Sequence, residues 1–255
     1  MGIVLRRIHV GIIVKNAVRD LALWRARRKK HSSWGAACQA AKATYEADYV
    51  TAFRIERSRG ILGKEEEYLR PSQELMSIER NGVFVDFGGS AGELLAVLQR
   101  RSTAASFVVV ETPVMVKAAA ALRPLITFSC ELPDHIDVFH SSGTFQYLED
   151  PYALWEQALR KTTGYAFLAR NTFSEDEQFR VQHSMLFSNG AGPIPQGFKD
   201  GVVRYPHRTV SERRIIEAAA EAGFGLVKRI SDRNAGQVQG AKDMYGADLL
   251  FKRIR

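Results

Sequence analysis

The chain has 255 residues, 45% of them hydrophobic and 25% charged, with a formal charge of +8 and two cysteines. That is ample for one sizeable core and too little cysteine for a disulfide framework or a zinc set, since Cys38 and Cys130 are far apart. No apolar run reaches the ~20 residues of a membrane-spanning helix, and the basic balance leaves nucleic acid, an acidic membrane surface or an anionic substrate open as partners.

Residues 1–75 read as a helical N-terminal extension. Arg6 and Arg7 precede an apolar stretch, Ile8–Val14, that superficially resembles a signal peptide. Lys15 and Arg19 interrupt it, and no Ala-x-Ala cleavage site follows. A basic amphipathic helix over Ile8–Trp24 is expected to pack on its own domain, with peripheral contact at a membrane as the alternative. Arg25, Arg27, Arg28, Lys29, Lys30 and His31 form a basic cluster that reads equally as a solvated arm or a functional patch. Ser32 and Ser33 are candidate caps for a helix from Trp34 through Ala43. Further helices are expected over Tyr49–Ile61 and from Pro71-Ser72 through Glu79.

From Asn81 the pattern becomes strand, helix, strand. Val83–Phe87 is an apolar run of buried-strand type, Glu93–Arg100 an amphipathic helix and Phe107–Glu111 a second strand. A helix over Pro113–Leu122 follows, with Pro113 in its first turn. Strands are expected at Leu125–Phe128, Ile136–His140 and Tyr165–Arg170, with a helix from Asp150-Pro151 through Arg160 between the last two. Residues 171–208 break the alternation with Gly, Pro, Phe and polar residues, and their length marks a functional insertion or lid. Thr209 is the expected cap of a helix to Ala222. Phe224–Ile230 and Ala247–Arg253 close the chain as two strands.

The chemistry concentrates in Asp86-Phe87-Gly88-Gly89-Ser90-Ala91-Gly92, between a strand and a helix, with Glu111 ending the next strand. Such a turn lets backbone approach a nucleoside closely, and the carboxylate can hold two ribose hydroxyls. A dinucleotide fingerprint starting at Gly88 would need glycine where Ser90 and Glu93 stand, and no Gly-Lys-Ser/Thr ending marks a P-loop. The spacing Asp86-x-Gly88-x-Ser90-x-Gly92 resembles motif I of the class I S-adenosylmethionine (SAM)-dependent methyltransferases, with serine for the middle glycine. Glu111 matches that superfamily's acidic residue. The plain alternative is a glycine-rich turn of another α/β protein.

The resemblance implies an α/β, Rossmann-like, seven-stranded, mostly parallel sheet with an antiparallel C-terminal hairpin, occupying 76–255. It implies SAM as cofactor, held by Asp86, Phe87, Gly88, Gly89, Ser90, Gly92, Glu111 and Thr112, with Glu131 at the adenine and Ser141 and Ser142 beside the methyl group. No metal is implied. More narrowly, Ser141-Ser142-Gly143-Thr144-Phe145-Gln146-Tyr147-Leu148, then Asp150-Pro151-Tyr152, resembles a bacterial family of methyltransferase-like proteins encoded beside surface-polysaccharide genes. Ser33-Trp34, Ala37, Arg170-Asn171-Thr172, Gln182 and Tyr205-Pro206 extend that likeness.

Methyl transfer to a hydroxyl is helped by a base, and His140, His183 and His207 are the candidates, with Tyr205 and Arg170 as orienting groups. Each imidazole reads equally as a satisfied loop residue, and proximity alone can drive transfer from a sulfonium. No Asn/Asp-Pro-Pro-aromatic run follows the fourth strand, and neither cysteine lies where a cytosine-adduct nucleophile belongs. The expected function is methylation of a small molecule or saccharide acceptor at oxygen, in the cytoplasm or peripherally at the membrane. A nucleic-acid methyltransferase and a non-catalytic SAM-binding module are the alternatives.

Overall fold

The computed structural model describes residues 28–43, 47–79, 81–101, 105–232 and 243–254. The expected helix over Ile8–Trp24, and Arg25 and Arg27 of the basic cluster, lie outside the described residues. Among those residues no helix is long and apolar enough to cross a membrane.

Four helices open the described chain: α1 Trp34–Ala41, α2 Asp48–Arg59, α3 Glu65–Tyr68 and α4 Gln73–Ser77. Ser33 and Ser72 cap α1 and α4, each side chain accepting a first-turn amide. The short α3 was not foreseen, because its run of three glutamates carries no apolar periodicity. Then come β1 Gly82–Phe87, α5 Glu93–Gln99, β2 Ala105–Val110, α6 Pro113–Ala119, β3 Thr127–Ser129 and β4 Ile136–Ser142. The expected third strand is displaced by two residues: Leu125 is 76% exposed and belongs to the turn closed by Ile126 N–H donating to the Arg123 carbonyl.

After β4, a 3-10 turn spans Phe145–Tyr147 and α7 spans Pro151–Lys161. Asp150 caps α7 by accepting from Tyr152 N and Ala153 N, and Pro151 sets its first turn. Trp155, Ala158 and Leu159 of α7 are fully buried against the sheet, and Trp155 Nε1 donates to the Ile215 carbonyl at 3.0 Å. Burying side chains of this size contributes roughly 1.5–3 kcal/mol each.

Strand β5 runs Thr162–Ser174, well past the expected end at Arg170. Its pairing with β9 shifts register between Leu168 and Asn171, and Arg170 takes a left-handed φ of 53° at that irregularity. The segment expected as an insertion thus begins as strand. It continues as a hairpin of β6 Phe179–Met185 and β7 Val202–Arg208, a separate two-stranded sheet against which α1 packs. Helix α8, Glu212–Glu221, is capped by Ser211, while the expected cap Thr209 is buried and accepts from Gln178 N at 2.8 Å. Strands β8 Phe224–Asp232 and β9 Met244–Arg253 close the fold.

The main sheet has the order β3-β2-β1-β4-β5-β9-β8. Strands β1 to β5 run parallel to one another, and β9 runs antiparallel to both β5 and β8. The chain reverses its direction of travel across the sheet at β1, between β2 and β4. In open parallel sheets that switch point, at the carboxyl ends of the strands, is where ligands bind.

Candidate functional site

Asp86 ends β1 and lies opposite His140 of β4 in register. Both are 2% exposed, and His140 Nδ1 sits 2.8 Å from Asp86 Oδ1. The imidazole is packed between Phe84 and Phe167. His140 therefore lies in the sheet behind Asp86.

The turn that follows is left-handed at three alternate positions, with φ of 73° at Gly88, 58° at Ser90 and 78° at Gly92. Ser90 thus adopts the backbone of the glycine it replaces. Gly88 N donates to the Val110 carbonyl at 2.8 Å, which ties the turn to β2. A Cβ on Gly88 would lie 2.2 Å from Thr144 Oγ1, so Thr144 packs directly on the turn.

Glu111 locks the other side. Its Oε1 accepts from Ser90 N and its Oε2 from Thr112 N, each at 3.0 Å. Each oxygen keeps a further acceptor position. Arg54 of α2 approaches Oε1 at 3.8 Å, with both side chains under 10% exposed. Burial pushes the Glu111 carboxyl up; Arg54 and the two amides pull it down, Asp86 adds to the upward push, and the net direction is up. Thr112 caps α6 by accepting from Met115 N.

A pocket of about 420 Å³ opens beside the ends of β1, β2 and β3. Phe87, Val110, Glu131, Leu132 and Leu154 line it. The direct β3–β4 connection leaves this space, since no helix separates the two strands. Ser129 Oγ accepts from Glu131 N at 3.0 Å and sets the course of that connection.

At the end of β4, Ser141 Oγ donates to the Phe87 carbonyl at 3.0 Å, and Ser142 Oγ accepts from Arg170 Nε at 2.8 Å. Arg170 N donates to Asp248 at 2.6 Å. Its left-handed backbone costs about 1–3 kcal/mol, a strain that here holds an arginine at the rim of the site.

The hairpin gathers a second group. Gln182 faces Tyr205, and Arg180 faces His207, so strand alternation puts all four on one side. Tyr147 meets them: its hydroxyl donates to Gln182 Oε1 at 3.0 Å, and its ring stands edge-on to Tyr205 and His207. Tyr205 and Ser184 share a hydroxyl hydrogen bond of 2.9 Å. His183 lies opposite Arg204 on the other side, with Nδ1 3.1 Å from the Val181 carbonyl. The candidates thus divide: Tyr205 and His207 together, His183 across the hairpin, His140 behind Asp86 and Arg170 at Ser142. All three imidazoles are buried.

Burial and the nearby Arg180 push His207 down to about 4. An unfolded imidazole titrates near 6.5, so the stability from keeping His207 neutral is complete above that pH and lost as pH falls towards about 4. Thermal melts should show wild type losing more stability than His207→Gln over that window. Equal slopes would contradict it.

Helix α2 fastens the segment between β6 and β7. Phe53 stacks on Phe187 at 5.5 Å. Arg57 donates Nη1 to the carbonyls of Phe187 and Asn189, both at 2.9 Å, and Nε to Gly192 at 3.0 Å. Neither Arg54 nor Arg57 stood out in the sequence. The available signal for Arg54 was its place on the stripe Val50, Arg54, Ser58, whose other members are buried.

No family model matches the chain, and no curated protein matches it. Solved structures do match. A SAM-dependent methyltransferase from Methanosarcina mazei is 10% identical, with 73% of this chain and 99% of that one covered, at a TM-score of 0.52. The chain has the class I SAM-dependent methyltransferase fold. A magnesium protoporphyrin IX methyltransferase from Synechocystis PCC 6803 is 15% identical over 68% of this chain and 71% of that one, at 0.44. A SAM-dependent methyltransferase from Clostridium acetobutylicum is 11% identical over 84% and 94%, at 0.46. At such identities the likeness concerns the methyltransferase fold, which sets the glycine turn, Glu111 and Ser142 along one sheet edge.

Proposed function

We propose that the chain is a SAM-dependent methyltransferase acting on a small molecule or sugar-type acceptor, at oxygen. The observation that carries this reading is the left-handed turn at Gly88, Ser90 and Gly92, bonded through Ser90 to the buried carboxylate of Glu111 at the switch point of the sheet. The residues present suit the cofactor. Glu111 has acceptor capacity left for two ribose hydroxyls, and Asp86 offers a carboxylate for an amino group.

When bound, SAM supplies a methyl group on a positively charged sulfur. The chain's task is to hold an acceptor oxygen in line with that group and to exclude water. Ser142 and Arg170 border this place, and the hairpin with Tyr147, Gln182 and Tyr205 stands beside it. Hydroxyl and amide groups of that kind match a polyhydroxylated acceptor. With the three imidazoles buried, positioning carries the reaction, and the hydroxyl proton leaves to water.

Calorimetry with SAM and with its demethylated product, S-adenosylhomocysteine, tests the cofactor half, and absence of binding to both would sink it. Transfer of labelled methyl from SAM to a panel of saccharides and small alcohols tests the acceptor half, and transfer to RNA alone would replace the acceptor class. Glu111→Gln should weaken S-adenosylhomocysteine by about 10- to 100-fold, through loss of charge-assisted hydrogen bonds of roughly 1.5–3 kcal/mol. An unchanged affinity would remove Glu111 from the site.

A further inference from the structure

Glu111 is a carboxylate in an apolar place, and desolvation favours its neutral form. A neutral carboxyl would donate one proton and lose part of its capacity to accept two hydroxyls. The charged groups that face it are Arg54 from α2 and Asp86 from β1, and Asp86 is itself bonded to His140 from β4. Asp86 repels a second negative charge. Arg54 is thus the favourable charge, and it comes from the N-terminal helices rather than from the sheet.

Its placement is constrained on several sides. Arg54 is 6% exposed, and its side-chain stem lies under Gly190, where a Cβ would stand 3.7 Å from Arg54 Cγ. One residue later on α2, Ile55 packs against Ala91 of the glycine turn and Met115 of α6. The separation of 3.8 Å from Glu111 is too long for a hydrogen bond and short enough for a strong charge interaction in a buried setting.

We propose that Arg54 is a positioning residue of the cofactor site, which keeps Glu111 anionic and available to both ribose hydroxyls. The inference rests on the reading of Glu111 as the ribose ligand. It adds that the N-terminal helices are electrically part of the site, so that cofactor affinity depends on a residue outside the sheet and its turn.

The test is the affinity for S-adenosylhomocysteine between about pH 6 and pH 8, measured by calorimetry on the full chain and expressed as variant over wild type. Arg54→Met should lose more affinity at the acid end than at the alkaline end, by up to about tenfold for each further pKa unit at Glu111, because its ionised fraction then falls earlier as pH drops. Arg54→Lys, which keeps the charge, should follow the wild-type profile. Combined with Glu111→Gln, Arg54→Met should cost nothing further.

A loss for Arg54→Met that is equal at every pH marks a merely structural role and overturns the proposal, as does no loss at all. Should Arg54→Met fail to fold, Arg54→Gln, which removes the charge and keeps a polar side chain, takes its place: a ratio that falls towards acid pH supports the proposal and a flat one overturns it. Wild type that binds no S-adenosylhomocysteine at any pH would sink the cofactor reading itself. Wild type that binds, with a parallel Arg54→Met profile, would sink the Arg54 role alone.

Discussion

Gly88→Ala is expected to weaken cofactor binding by more than about 30-fold. The new Cβ would lie 2.2 Å from Thr144 Oγ1 and 2.8 Å from Thr144 Cβ, so rotating the threonine side chain does not relieve the contact. The backbone is left-handed there, which costs an alanine about 1–2 kcal/mol. Displacing Thr144 adds roughly 1–3 kcal/mol of overpacking. The total of about 2–5 kcal/mol falls on the turn proposed to hold the cofactor, and affinity for S-adenosylhomocysteine should drop by roughly 30- to 1000-fold or more. Ser90→Gly supplies the opposite sign. Glycine suits the φ of 58°, so that variant should bind as well as wild type. If Gly88→Ala binds normally, the turn does not touch the ligand.

The second large effect is on stability. Arg123 is 5% exposed, and its guanidinium donates to Ser58 at 2.8 Å, to the Ala91 carbonyl at 2.7 Å and to Glu65 at 3.0 Å. Glu65 is 2% exposed and also meets Arg100. Burial pushes Glu65 up, but its own amide and the two arginines hold it below the usual carboxylate range. Arg123→Met removes a buried partner from a buried charge, at a cost of about 3–5 kcal/mol. For a chain of this size that is a fall in melting temperature of roughly 6–20 °C. Arg123→Met with Glu65→Gln should recover part of the loss, since the buried charge that Arg123 offset is then removed as well. A shift under about 2 °C for the single variant would contradict the argument.

The parts of the fold visible in the sequence are those governed by local rules. Val83–Phe87 and Phe107–Val110 are continuous apolar runs, and buried parallel strands have no other way to look. The turn between them was legible because three left-handed positions demand particular residues, two of them glycines here. Asp150-Pro151 announced α7 through capping chemistry.

The parts that were hidden depend on distant partners. Nothing in the sequence sets Arg54 and Arg123 apart from other arginines, and only the folded chain brings Arg54 to Glu111 and Arg123 to Glu65, 58 residues apart in sequence. The hairpin was obscured by composition. Phe179–Met185 does alternate, but the Gly- and Pro-rich stretch from Gly190 to Gly201 dominated the reading of the whole segment. Leu125 misled because an apolar residue after a proline looks like a strand start, and this one faces water. His140 was placed by sequence near the reactive end of its strand, and the structure sets its ring towards Asp86 within the sheet.

The contacts of α2 also bear on the order in which the chain assembles. Arg57 and Gly192 are 135 positions apart. Contacts of such separation close late, because the entropy of the intervening loop must be overcome first. During synthesis from the N-terminus, α2 emerges well before the residues it holds. Phe53 and Arg57 then wait without these partners until residues 186–199 have left the ribosome, and the packing of α2 on that segment settles only after the sheet has formed.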